Sequence, residues 1–131
     1  MPAIELVSPG NKDRPQARKA FAAKCAEHLG RGCGLVIVDV VTTRHADVLA
    51  ELFAALGIES PHHTSGVLNA ISFRSLGRDV DGQLFAWPEP LAVGEPLPTL
   101  PLWIGPELSV PLDLEASHNA ACADLRIRFA G

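Results

Sequence analysis

The chain has 131 residues, 47% hydrophobic and 20% charged, with a formal net charge of −4. That is enough chain to bury a core without disulfides or metals as staples, and too apolar a composition for general disorder. No apolar run approaches the roughly 18–20 residues of a membrane span, and Met1-Pro2-Ala3-Ile4-Glu5 has neither the basic flank nor the apolar core of an export signal, so the expectations are a cytoplasmic protein and no membrane partner.

Ala3-Ile4-Glu5-Leu6-Val7 is a short apolar run closed by Ser8-Pro9-Gly10 and reads as a buried strand. Asp13-Arg14-Pro15-Gln16 has the form of a helix start, with an aspartate to cap, a proline in the first turn and a glutamine three residues on. The helix should run to about Leu29 and stop in Gly30-Arg31-Gly32. Residues 34–41 follow, continuously apolar apart from Asp39, as in a strand buried on both faces of a parallel sheet. Two such strands joined by a full helix make a right-handed β-α-β unit.

Thr42 or Thr43 can cap a second helix that places Val48, Leu49, Leu52, Phe53 and Leu56 at helical spacing and ends at Gly57. Residues 67–75 and 83–87 read as two strands around an Asp79–Gly82 turn, an antiparallel hairpin. Seven of the eleven prolines lie between Pro88 and Pro111, which excludes regular helix and central strand and predicts an extended arm over residues 87–111. Leu112 to Asp124 can form a last helix, and Leu125–Phe129 alternates like a last strand. The whole, residues 1–131, reads as a single α/β domain with a mixed sheet.

Three side chains stand out. Glu5 lies in the middle of an apolar strand, where carboxylates are rare unless paired or bound to a metal. Asp39 has the same character one strand over, and Lys24 sits beside the helix stripe of Ala17, Phe21, Cys25 and His28, which leans it toward the sheet. If the two strands are parallel neighbours, the acids approach one sheet edge and could hold a hard cation such as Mg²⁺. The alternative is a structural Glu–Lys ion pair, or two acids reaching solvent at strand ends.

Charge is unevenly spread. Residues 12–31 carry Lys12, Arg14, Arg18, Lys19, Lys24 and Arg31 against Asp13 and Glu27, a local balance of +4 that leaves −8 for the remainder. Such a segment is either a solvated helix face or a surface for a polyanion such as nucleic acid. The turn Ser8-Pro9-Gly10-Asn11-Lys12 enters a helix as phosphate-binding turns do, without P-loop spacing. His62-His63 lie in a polar loop with no third ligand in view, there is no GxSxG, and Trp87 and Trp103 read as anchors for the arm. Cys25, Cys33 and Cys122, odd in number and without CxxC spacing, read as reduced thiols.

Ile4-Glu5-Leu6-Val7-Ser8-Pro9-Gly10-Asn11-Lys12, then Lys24 before the Gly32 turn, then Leu35-Val36-Ile37-Val38-Asp39 resemble the bacterial family called domain of unknown function 4058. Pro96-Leu97-Pro98-Thr99-Leu100-Pro101 and Val110-Pro111-Leu112-Asp113-Leu114 are similar to that family's ending. The family in turn resembles the PD-(D/E)XK nuclease-like superfamily, which implies a restriction-endonuclease-like core and Mg²⁺-dependent phosphodiester chemistry. On that resemblance Glu5 and Lys24 are the catalytic pair, and Glu5 and the Leu6 carbonyl are metal ligands. Asp39 stands behind them, and Lys12 is a substitute for Lys24. The motif's first aspartate belongs on a strand before Glu5. The resemblance therefore implies that an upstream part of the core is missing, that a partner supplies the acid, or that the core is an inactive relic. Two expectations follow: a noncatalytic binding or assembly domain with a protein partner or a homodimer, or a Mg²⁺-dependent nuclease that grips DNA or RNA through residues 12–31.

Overall fold

The computed structural model describes residues 2–41, 48–57, 68–75, 84–105 and 107–124. In chain order they form β1 (Ala3–Leu6), α1 (Pro9–Asp13), α2 (Pro15–Gly30), β2 (Leu35–Asp39), α3 (Val48–Leu56), β3 (Asn69–Ser75), β4 (Leu84–Pro90), β5 (Thr99–Trp103), β6 (Ser109–Asp113) and α4 (Leu114–Asp124). The expected Thr42 or Thr43 cap, the Asp79–Gly82 turn, His62-His63 and the Leu125–Phe129 strand lie outside these residues. No helix among the described residues is long and apolar enough to cross a membrane.

β2 organises the molecule. Its five residues are all buried, and alternate side chains leave the sheet on opposite faces. Leu35 and Ile37 pack with Phe21, Cys25 and Leu29 of α2, Leu52 of α3, and Ile71 and Phe73 of β3. Val36 and Val38 pack on the other face with Ala70, Leu100 and Leu114. The result is three layers: α2 and α3, then a four-stranded sheet in the order β1-β2-β3-β4, then the β5-β6 hairpin with the start of α4. β1 runs parallel to β2, whereas β3 is antiparallel to both β2 and β4, so the sheet is mixed.

Two local expectations are corrected. β1 is an edge strand, and Ile4 and Leu6 are exposed because the hairpin layer stops short of them. The first helix does not start at an Asp13 cap. Ser8 instead caps the separate helix α1: its Oγ accepts from the Asn11 N–H at 3.3 Å, and Asn11 Oδ1 accepts from the Ser8 N–H at 2.8 Å. That reciprocal box ends at Arg14, whose extended backbone restarts the chain as α2 at Pro15. At the far end Gly32, with φ 77°, stops α2 as expected.

The proline-rich segment is more ordered than an arm. β4 continues through Pro88 and Pro90, which an edge strand tolerates because its outer N–H groups need no partner. Pro101 and Pro111 face each other across the β5-β6 hairpin. The hairpin is fastened to the sheet by aromatic contacts, with Trp103 stacked on Trp87 at 5.4 Å and the Arg74 guanidinium over Trp103 at 4.8 Å and over Phe85 at 5.5 Å. The Ser72 hydroxyl donates to the Pro101 carbonyl, and α4 is joined to the layer by the Leu97 N–H donating to Glu115 Oε2 at 2.7 Å.

Gly34 allows a close approach between layers, since a Cβ there would overlap the Trp103 carbonyl and Cβ. Gly34→Ala should therefore destabilise the protein by about 1–3 kcal/mol, as overpacking of a tight contact does. Urea unfolding should show this as a lower midpoint, with near-ultraviolet circular dichroism reporting a displaced Trp87–Trp103 stack. An unchanged midpoint would mean that the hairpin is not held against β2 at this point.

Candidate acid–base site on the first two strands

The parallel pairing sets Glu5 opposite Ile37, so Glu5 leaves the sheet on the helix face with Ile37 and, two residues further along β2, Asp39. The two carboxylates thus share a face. They do not share a partner. Glu5 Oε2 receives the Lys24 ammonium at 3.0 Å, from one turn before the last buried stripe of α2. Asp39 Oδ2 receives the Lys12 ammonium at 2.7 Å, and its Oδ1 accepts from the Val41 N–H at 3.1 Å.

The two pairs differ in environment. Lys12 and Asp39 have side chains only 5% and 9% exposed, whereas Lys24 is 60% exposed and reaches Glu5 from the solvent side, its ammonium also 5.6 Å from the Phe21 ring centre. A buried pair is held by the cost of leaving either charge alone in a low dielectric; an exposed one is worth little. Lys12 is therefore the main surprise. The capping box at Ser8 folds the chain into α1, and the turn of helix that follows aims Lys12 inward, at the end of β2. A lysine immediately after a turn gives no sign of this in sequence, but an unpaired acid in a strand buried on both faces demands a cation from somewhere.

Beside Glu5 lies a recess of about 160 Å³, with Glu5, Lys24, Glu27, His28 and Arg31 around a floor of Cys25 and Leu35. Its contributors from α2 recur at helical spacing, positions 24, 27, 28 and 31, which is the signal by which His28 and Arg31 could have been found. Arg31 is paired with Glu27 at 2.6 Å, and His28 Nε2 is buried without a hydrogen-bond partner among the described residues. Burial, reinforced by the Glu5 carboxylate and only partly opposed by Lys24, pushes the Cys25 thiol up to about 12. A thiol in that state is not a nucleophile near neutral pH.

The basic segment looks different once folded. Lys12 is neutralised by Asp39, Arg18 lies 3.7 Å from Glu51, Lys24 meets Glu5, and Arg31 meets Glu27. Three of those four acids come from outside residues 12–31, so the local excess of charge seen in sequence is largely cancelled by β1, β2 and α3. Of the bases in residues 12–31, Arg14 and Lys19 are exposed and lie outside these pairs among the described residues. In the turn before α1 the Ser8 and Asn11 N–H groups serve the capping box.

A hard cation takes several oxygen ligands. Asp39 has both oxygens engaged, Glu5 faces an ammonium, and among the described residues no group of three or more His, Cys, Asp or Glu side chains is placed to hold a metal. The Leu6 carbonyl points away from β2, because Ala3 and Val7 use the inner side of β1 for their bonds to Gly34 and Val38. Among the described residues, Glu5 and Asp39 are each engaged in an ion pair.

Lys12→Met should cost about 3–5 kcal/mol by stranding Asp39, and adding Asp39→Leu should recover much of it, whereas Lys24→Ala should cost no more than about 1 kcal/mol. Chemical denaturation of the three variants checks the ranking; equal effects of Lys12→Met and Lys24→Ala would contradict it. Because the folded Cys25 thiol stays neutral to about pH 12 while its ordinary value is 9.0, its contribution to stability is full below pH 9 and is lost as pH rises toward 12. Cys25→Ser should flatten that alkaline decline in a pH series of unfolding midpoints. The chain matches no protein-family model, no curated protein and no solved structure.

Proposed function

We propose that this chain is a noncatalytic binding or assembly domain that retains a nuclease-like α/β core. One observation carries the reading: Glu5 and Asp39, the two strand acids that could have approached one hard cation, are each held by a different lysine, Lys24 and Lys12. Metal-assisted hydrolysis needs a fixed and open coordination shell, and an ammonium at 2.7–3.0 Å from each carboxylate competes with it. The cancellation of the 12–31 charge by Asp39, Glu51, Glu5 and Glu27 supports the same reading, because phosphate neutralisation is the main source of nonspecific affinity for nucleic acid.

The alternative, a Mg²⁺-dependent nuclease of PD-(D/E)XK type, has one specific observation in its favour. Glu5 and Lys24 do meet, at 3.0 Å, beside a recess that Arg31 also lines. The resemblance to the nuclease-like superfamily would make them the metal carboxylate and the catalytic lysine, with Leu6 and Asp39 nearby.

Calorimetric titration of the protein with Mg²⁺ and Mn²⁺ separates the two. The noncatalytic reading expects no saturable heat, no cleavage of single- or double-stranded DNA or RNA, and an unchanged fold in Glu5→Gln. A saturable metal site lost in Glu5→Gln, or cleavage lost in both Glu5→Ala and Lys24→Ala, would overturn it.

A further inference from the structure

The recess beside Glu5 has a charged rim and an uncharged floor. Among the described residues the rim holds two acids, Glu5 and Glu27, and two bases, Lys24 and Arg31, so these charges sum to zero. Glu5 comes from β1, and the other three follow along α2 in the order base, acid, base on successive turns. On the floor Leu35 is buried, and burial keeps the Cys25 thiol, pushed up to about 12, neutral at neutral pH.

Two properties of this lining decide what it can hold. The first is that the rim charges are already matched, Lys24 with Glu5 at 3.0 Å and Arg31 with Glu27 at 2.6 Å. The Lys24, Glu27 and Arg31 side chains are 60–67% exposed, and exposed pairs contribute little to stability, so they exchange partners at small cost. A ligand of one sign gains little from such a rim. An anion drawn to Lys24 or Arg31 meets the carboxylates of Glu5 and Glu27, and a cation drawn to those acids meets the two bases. A ligand with one charge of each sign, held as close together as the members of these pairs, can exchange with them and strand neither partner. The second property is size. The recess measures about 160 Å³, below the roughly 300–1,000 Å³ of a pocket for a drug-sized ligand.

Resting on the noncatalytic binding reading above, we infer that this recess binds a free α-amino acid with a short apolar side chain. Its ammonium and carboxylate stand on one carbon, which suits rim pairs whose charged atoms are 2.6–3.0 Å apart. The ammonium is received by the acids of the rim and the carboxylate by the bases. The side chain lies on Cys25 and Leu35, where a long or charged one has neither room nor a partner. Discrimination comes from the charge pattern, since each mismatched ligand leaves a like charge facing it.

Titration of the intact ¹⁵N-labelled chain with L-alanine, followed by ¹H–¹⁵N correlation spectra at fixed pH and ionic strength, tests this. The expected result is saturable shifts centred on the amides of Glu5, Cys25, Glu27, His28 and Leu35. N-acetylalanine, alaninamide and γ-aminobutyrate, which lack one charge or hold the two further apart, should each bind about tenfold or more weakly, the scale of a lost hydrogen bond to a charged group. Glu5→Gln and Arg31→Gln should weaken alanine binding to a similar extent, whereas Val93→Lys, at an 84% exposed loop position, should leave it unchanged. Circular dichroism should show all three variants folded. Absence of saturable shifts, equal binding of the singly charged analogues, or binding unaffected by both Glu5→Gln and Arg31→Gln overturns the inference. The metal titration fails separately: a saturable Mg²⁺ site alongside alanine binding would sink the noncatalytic reading alone, and a chain that binds neither Mg²⁺ nor alanine would sink the ligand assignment alone.

Discussion

The structure depends on one constraint, that β2 is apolar on both faces and must be covered twice. Leu35 and Ile37 need a layer on one side, and Val36 and Val38 need another on the other. α2 and α3 supply the first; the proline-rich hairpin and Leu114 of α4 supply the second. Only two strands can flank β2 directly, so β1 and β3 take those places and the chain's remaining apolar surface is distributed around them.

Covering β2 so completely is what makes Asp39 costly. A carboxylate at the end of such a strand cannot be left unpaired, and the fold answers with Lys12 from the far side of α1. That answer in turn dictates the entry to α2. The Ser8–Asn11 capping box, the single turn of α1 and the Arg18 guanidinium donating to the Lys12 carbonyl at 3.0 Å all serve to place one ammonium group. Glu5 lies under a lighter constraint. It stands on an edge strand, reaches partial solvent, and is met by a lysine that is itself mostly in water. The two acids look equivalent in the amino-acid sequence and are physically unlike in the folded chain: one belongs to the interior, the other to a recess at its margin.

Cancelled charge is the second theme. A segment that reads as strongly basic becomes, after folding, a set of ion pairs in which the acids are contributed by β1, β2, α3 and α2 itself. Electrostatic character is a property of surfaces, and a surface is assembled from segments distant in the chain. The same holds for Trp87 and Trp103, which fall sixteen positions apart by number and yet stack to pin one layer on another.

Much of the fold was legible beforehand, for reasons of period and punctuation. The β2 run, the α2 stop at Gly30–Gly32, the α3 stripe, the β3-β4 pair and the final helix each carry a local signature, and the structure has them within a few residues of the expected bounds. The parallel pairing of β1 and β2 follows from a full helix between two strands. Other features needed the third dimension. Whether β1 is central or at an edge depends on which strands come to lie beside it, so the exposure of Ile4 and Leu6 could not be read from an apolar run. Prolines forbid helix and central strand, but do not say that an extended segment will pair with itself, as β5 and β6 do. Above all, the types of Glu5, Asp39, Lys12 and Lys24 were there to read, while their pairing was not: an ion pair is decided by distance and burial, and both are set by how the layers close over β2.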